Sequence, residues 1–291
     1  MSTSAAPVTC FLSFADSRMR SALSRIADQA RAMNFFDKCC VLDENGLDSD
    51  FRKKWECFLQ FGVRGYGYWC WKSHIILETL SSLPDDSLLL YCDAGCHLNP
   101  QGIGRLKYYF EELKKDPLGI KAFPVYTTFL DAQERRWTKG DVFDFFGCRD
   151  NQDITHSNQI AATQILCRKC EAAIALLEEW SKIIETTPLL IDDSPSKSRN
   201  LSGYIEHRHD QSLFSILFKL HGGKALPGGE TDGILPEEAM NYPIWAKRDR
   251  GYKDTRFFAR LMRYIKARLF LTKVSIIGVK EKIDAFFSNS R

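Results

Sequence analysis

No stretch of this 291-residue chain reaches the roughly 18 consecutive apolar residues of a membrane-spanning helix, which argues against such a span. The amino terminus, M-S-T-S-A-A-P-V-T-C, lacks the basic segment and apolar core of a secretory signal. A reducing compartment is therefore expected, with the ten cysteines mostly free. The C-x-x-C at Cys167 and Cys170 lacks the second Cys or His pair of a structural zinc site and falls inside a helical pattern, so zinc is not expected. No G-x-G-x-x-G follows the first apolar run, which disfavours a dinucleotide-binding sheet. Nor is there an excess of one charge: a net charge of +3 demands no nucleic-acid partner. Repeats and low-complexity tracts are missing too, and 44% hydrophobic with 26% charged residues is the balance of a soluble globular protein with a sizeable core.

What is present reads as strands alternating with helices. Residues 8 to 14 (V-T-C-F-L-S-F) suggest a strand, Ser21 to Met33 a helix, Lys38 to Leu42 a second strand and Asp48 to Leu59 a second helix. Arg64 to Lys72 form a glycine and aromatic loop, followed by an amphipathic helix and a buried strand, Ser87 to Tyr91. Gly104 to Lys115 should be helical, Ile120 to Tyr126 a strand, and Glu134 to Asp153 a substrate-facing loop with a short helix. Ser157 to Ile184 carries the longest helical periodicity, with Ile160, Ile165, Leu166, Ile174, Leu177 and Trp180 on one broad face. Residues 192 to 203 are a polar Pro- and Ser-rich loop, and Asp210 opens a last amphipathic helix. Such alternation implies parallel βαβ units, an α/β fold with helices on both faces of the sheet.

Three clusters carry chemistry. Asp93 follows the apolar strand S-L-L-L-Y, and in open α/β sheets ligands bind just outside the carboxyl ends of strands. A strand-end carboxylate can hold a divalent cation that neutralises a diphosphate leaving group, but two residues on stands Gly95, which supplies no second carboxylate. Arg64 to Lys72 combines glycines for close approach, Tyr66, Tyr68, Trp69 and Trp71 for stacking, and two cations for phosphate; the alternative is an aromatic cluster serving the core. Glu206 to Ser212 (E-H-R-H-D-Q-S) sets His207, His209 and Asp210 at a positive helix end, where the histidines suit a metal shell and Asp210 a general base, an oxocarbenium stabiliser or a plain cap.

Taken in order, R-G-Y-G-Y-W-C-W-K, L-L-Y-C-D-A-G-C-H-L-N, W-T-K-G-D and E-H-R-H-D-Q-S-L-F-S resemble the bacterial nucleotide-diphospho-sugar transferases of capsule, O-antigen and lipopolysaccharide clusters, from about Thr9 to about Gly222. The resemblance implies a GT-A type, Rossmann-like mixed and mainly parallel sheet flanked by helices. It also implies a UDP-, GDP- or dTDP-linked sugar donor, a saccharide or lipid-linked glycan acceptor, and manganese or magnesium as cofactor. By position it puts Ala15, Asp16 and Arg18 beside the nucleotide, Lys72 near its diphosphate and Asp93 and Gly95 in the Asp-x-Asp place; Arg64, Tyr68 and Gly95 complete the expected donor-binding residues. The expected catalytic residues are Asp93 and Asp210 and the expected metal ligands Asp93, His207 and His209, while Trp137, Lys139, Asp141, Gln159 and Gln211 are expected to face donor sugar or acceptor. Gly95 departs from the usual Asp-x-Asp and leaves the metal open.

Residues 1–245 are read as the transferase domain and 246–291 as a basic helical extension. In that extension, residues 253–270 set Phe257, Leu261, Ile265 and Leu269 at helical spacing against six basic side chains, a pattern that fits an anionic membrane surface or packing on the protein's own domain. The expected location is the cytoplasm, at the periphery of the inner membrane face. Two other functional classes remain open from the residues: another nucleotide- or cofactor-dependent α/β enzyme such as a methyltransferase, and a non-catalytic nucleotide-sugar or glycan-binding module.

Overall fold

The computed structural model describes residues 5–126, 131–231 and 239–251. The chain runs through β1 (Thr9–Phe14), α1 (Arg20–Ala32), β2 (Lys38–Leu42), α2 (Ser49–Lys54), the single turn α3 (Gly65–Tyr68), α4 (Trp71–Ser82), β3 (Leu88–Cys92) and β4 (His97–Leu98). It continues with α5 (Ile103–Lys115), β5 (Ile120–Pro124), α6 (Glu134–Trp137), α7 (Gly140–Phe145), α8 (Gln152–Thr155), β6 (Ile160–Arg168), α9 (Glu171–Thr186), α10 (Asp210–Leu220) and β7 (Ile244–Trp245).

Five strands form a mixed sheet in the order β2-β1-β3-β6-β5, with β2, β1 and β3 parallel and β6 antiparallel to both its neighbours. Because β6 alone is reversed, β5 runs with the other three and the sheet is mainly parallel, as expected. The path steps outward from β1 to β2 and then back across β1 to β3, so the order reverses between β1 and β3. In open sheets a crevice opens at the carboxyl ends of two such strands, which makes this the place where ligands bind. Asp16 follows β1 and Asp93 follows β3, so both acids flank that crevice.

Both faces of the sheet are covered. Cys10, Leu12 and Phe14 of β1 and Leu89 and Tyr91 of β3 join one core with residues of α4, α9 and α10. Alternate residues Phe11, Leu88, Leu90 and Cys92 join a second core with α1 and α5. Burial on both sides removes the polar positions that would mark a half-exposed strand, which is why β1 and β3 read as short continuous apolar runs.

The same effect hides β6. Residues 160 to 168 were expected to be helical, as the first third of a long amphipathic segment, but they form the nine-residue strand between β3 and β5. Ile165 and Cys167 face one core and Leu166 the other, so the strand carries no period of two, and its apolar spacing matches a helix by coincidence. The helix proper starts after Cys170, leaving Cys167 in the strand; both thiols are free. The second helix is shorter than expected, ending at Lys54 rather than Leu59.

Residues 244 and 245 return to the domain as β7, paired antiparallel with β4. Asn99 secures this return, its backbone N–H donating to the Pro243 carbonyl and its side-chain amide to Met240 and Tyr242. The basic stretch 253–270 lies outside the described residues.

Candidate active site

Three elements deliver charged side chains to the carboxyl end of β3. Lys72 comes from the first turn of α4, Asp93 from the residue after β3, and Asp210 opens α10. The Lys72 ammonium bridges the two acids, 2.9 Å from Asp210 Oδ2 and 3.3 Å from Asp93 Oδ1, and donates a third contact of 3.1 Å to the Ala162 carbonyl. The Tyr91 hydroxyl donates to the same Asp93 oxygen at 2.6 Å. Lys72 and Asp210 are buried, whereas the Asp93 side chain is 29% exposed, making it the member of the bridge open to a ligand.

Electrostatics follow from this geometry. Burial pushes the Asp210 carboxyl up to about 6, even with Lys72 pulling the other way and Asp93 adding to the rise. Burial alone would lower Lys72, yet the flanking carboxylates Asp210 and Asp93 more than offset it, so its pKa rises and the ammonium stays charged. The Tyr91 phenol is raised by burial and by Asp93, so it stays a donor. The bridge is neutral with Asp210 protonated and carries one net negative charge with both acids ionised.

One wall of the site is an unusual stretch of backbone. Gly65, Tyr66, Gly67, Tyr68 and Trp69 all have positive φ, at 62°, 52°, 94°, 53° and 60°, a left-handed turn that side chains other than glycine rarely adopt. Gly65 is required there, since a Cβ would lie 2.3 Å from the Trp69 ring. Strain of about 1–3 kcal/mol at each of the non-glycine residues Tyr66, Tyr68 and Trp69 persists only where packing fixes it, and such strain clusters at functional sites. The turn sends Tyr66 and the following Trp71 inward against Phe14, the core reading of those aromatics. Tyr68 and Trp69 instead stay half-buried, with ring centroids 5.3 and 5.5 Å from His209, and Trp69 also faces the Lys72 ammonium.

The expected metal shell of Asp93, His207 and His209 does not form. The His207 Nε2–H donates to the Leu190 carbonyl at 2.7 Å and its Nδ1 accepts from the Lys139 N–H at 3.3 Å, so neither ring nitrogen is available. The His209 Nδ1–H donates to the Ile191 carbonyl; its Nε2 has no hydrogen-bond partner and lies 3.6 Å from Asp193, not beside Asp93. Burial, with Arg64 nearby, lowers the His209 pKa to about 4, so the ring is neutral. At Gly95 a Cβ would meet the Arg248 Cα at 3.3 Å, a tight contact, and glycine itself supplies no second carboxylate. Asp93 itself takes both the ammonium and the phenol on Oδ1. These residues do not fit a divalent cation bound in the Asp-x-Asp manner. Among the described residues one group of three ligand atoms lies within 4.8 Å, that of Asp48, His74 and Glu78. There Asp48 already caps α2 and accepts from His74 at 2.6 Å.

The other expected residues divide. Ala15 follows β1, with Asp16 buried and paired bidentately with Arg18 at 3.0 and 2.8 Å, and Arg18 lies over the exposed Phe61 ring. These sit on the β1 side of the crevice. Arg64 reaches Asp193 and Glu206 only at 4.0 Å. Gln211 and Gln159 are brought together, Gln211 Nε2 donating to Gln159 Oε1 at 2.8 Å, and the Gln211 oxygen accepts from the N–H of the same Ala162 whose carbonyl meets Lys72.

Trp137, Lys139 and Asp141 are used differently from expectation. Trp137 is buried beneath the Arg208 guanidinium, 4.2 Å from its ring centroid. The Lys139 ammonium is enclosed by oxygens of Leu189, Asp192 and Ser194, and Asp141 accepts from the N–H groups of Lys197 and Ser198. Lys139 and Asp141 thus fasten the 189–198 loop. Tyr91 and Arg248 were not singled out from the sequence. Tyr91 could have been, since it lies two residues before Asp93 and so points to the same side; Arg248 reaches the site only through the tertiary return of β7.

No known family's sequence profile matches the chain, and no curated protein matches it. Among solved structures it is similar to a glycosyltransferase involved in glycosylation of the major capsid of PBCV-1, at 12% identity and TM-score 0.43 over 90% of this chain and 100% of that one. It is also similar to the galactosyltransferase LgtC in complex with donor and acceptor sugar analogs, at 13% identity and TM-score 0.40 over 77% and 73% of the two chains. A third is mouse xyloside xylosyltransferase 1, at 12% identity and TM-score 0.42 over 76% and 85%. At such values the chemistry has to be argued from the site itself.

Proposed function

We propose that this protein transfers a glycosyl group from a nucleoside-diphosphate sugar to a hydroxyl of a saccharide or lipid-linked glycan. The observation that carries the reading is the buried Asp210–Lys72–Asp93 bridge at the carboxyl end of β3, beside the switch point of the sheet. Departure of a nucleoside diphosphate leaves positive charge at the anomeric carbon, and a preorganised site with an ionised carboxylate stabilises that charge. Asp93, the open acid, would touch the sugar or take the acceptor's proton, with its position fixed by Tyr91 and Lys72. Asp210 acts through Lys72 as a positioning residue, since it is 3% exposed. Tyr68 and Trp69 offer half-buried faces for stacking on a sugar ring.

The motif resemblance supports a hexosyl or deoxyhexosyl donor and a place in surface polysaccharide synthesis, with the enzyme cytoplasmic and peripheral to the membrane. No helix among the described residues is long and apolar enough to cross a membrane. A panel of UDP-, GDP-, dTDP- and CDP-sugars, assayed for release of nucleoside diphosphate with and without simple saccharide acceptors, tests the reading. Turnover of at least one donor is expected, and stabilisation by S-adenosylmethionine with inert nucleotide sugars would overturn it.

A further inference from the structure

The segment after β7 closes over Gly95, and this is where the site departs furthest from a metal-loaded one. The Asp249 N–H donates to the Gly95 carbonyl at 3.0 Å, and Arg248, with φ of 53°, lays its backbone on the spot where a side chain at 95 would emerge. The Asp249 carboxylate is held by His97 and Arg25 at 2.9 and 3.0 Å, so the closure is anchored on a second side. The segment that crowds Gly95, which itself supplies no second carboxylate, thereby brings Arg248 to the same rim. Resting on the functional reading above, we propose that this site binds the diphosphate of its nucleotide donor without a divalent cation, the charge being met by the guanidinium groups of Arg248, Arg208 and Arg64.

Arg64 and Arg208 converge on Glu206, and the Arg248 backbone stands against Gly95. Arg248 is exposed and has no ion-pair partner among the described residues. Arg208 is stacked on Trp137 and bonded to Glu206 at 3.2 Å; Arg64 reaches Glu206 and Asp193 no closer than 4.0 Å, so its charge is incompletely matched. Guanidinium is the side-chain group best shaped for bidentate contact with phosphate, and it needs no dehydration of a metal. Lys72 lies behind this rim with its charge already shared between two acids, so the diphosphate would be held mainly by arginine.

Calorimetric titration with UDP, GDP, dTDP and CDP, in EDTA and in manganese, tests this directly. At least one nucleotide should bind in EDTA within about 3-fold of its affinity in manganese. Arg248→Asn, which a left-handed backbone accommodates, should weaken that nucleotide by ~10-fold or more with thermal stability unchanged. Electron paramagnetic resonance of manganese added to a His74→Ala background, which removes the surface group, should show no bound ion that Asp93→Asn releases. Manganese-dependent nucleotide binding, or a manganese signal lost in Asp93→Asn or His209→Ala, would overturn the proposal and leave the transferase reading intact. Failure of every nucleotide to bind in either condition would bring down both.

Discussion

Lys72 and Lys139 are both all but inaccessible, at 2% and 1% exposure, and each ammonium is enclosed by oxygen, but the oxygens differ in kind. Around Lys72 they are two carboxylates from separate elements and one strand carbonyl. Around Lys139 they are mostly carbonyls of one loop, with the Asp192 side chain as the lone acid. A lysine that fastens a loop needs one counter-charge and several neutral dipoles. A lysine set between two acids, one of them open to the crevice, fixes the position of a carboxylate that solvent or a ligand can reach. Burial and residue type do not separate these roles; the partners do.

The sharpest way to break this contrast is to neutralise the open acid. Asp93→Asn keeps shape and one acceptor for Tyr91, so the fold should survive with a melting temperature close to wild type. Loss of a positioned acid or base in the chemical step costs 10²–10⁴-fold, so turnover should fall by ~10³-fold, equivalent to about 4 kcal/mol of barrier. Undiminished nucleotide-sugar turnover would assign Asp93 to structure and dissolve the distinction.

Lys139→Met is the matching test at the other lysine. Removing one partner of a buried ion pair costs about 3–5 kcal/mol, because the remaining, largely buried acid is left without its counter-charge. Chemical denaturation should show a loss on the order of 4 kcal/mol, while turnover per folded molecule at low temperature stays within about 2-fold of wild type. A selective loss of turnover with stability intact would move Lys139 into the substrate site, where its sequence motif had suggested it belongs.

Titration separates the two lysines again. Asp210 has its folded carboxyl raised from the ordinary 3.8 to about 6, so between those values the native state binds more protons than the unfolded one. Stability contributed by that proton is present below pH ~4 and is lost as pH rises through about 6, at most about 3 kcal/mol for a shift of two units. Equilibrium unfolding across this window should show the negative slope, and Asp210→Asn should flatten it. Over the same range kcat/KM should rise with pH, as the bridge gains its net negative charge, whereas Asp192→Asn should leave the activity profile unmoved.

How much of this was legible in the sequence depended on how local the cause was. Asp93 was visible because an apolar strand announces its own end, and Asp210 because a polar cluster runs directly into an amphipathic helix. Their convergence on Lys72 was not, since it depends on how α4 and α10 pack on one face of the sheet. β6 was misread because burial on both faces erases the alternation that marks a strand, and its apolar residues run on into the helical pattern of α9. The contacts of Lys139 were not legible because W-T-K-G-D points to a site, whereas the loop oxygens that hold the lysine lie about 50 residues later and leave no trace near it. His207 and His209 carried the right chemistry for a metal, and only the tertiary carbonyls of Leu190 and Ile191 show that one nitrogen of each ring is already in use.

The smallest effect expected is also the one that tests how far neutral dipoles can carry a buried ammonium. Asp192→Asn removes the one acid beside Lys139 but keeps the Leu189, Asp192 and Ser194 carbonyls in reach. The Asp192 side chain is 14% exposed, so solvent can make up part of the lost charge, and its hydrogen bond to the Ser194 N–H can pass to the amide oxygen. The cost should be about 1 kcal/mol, the worth of one charge-assisted contact partly replaced. In Asp93→Asn the same chemical change should leave stability alone and remove turnover. If Asp192→Asn instead destabilises as much as Lys139→Met, the loop carbonyls contribute little and Lys139 depends on its acid as fully as Lys72 does.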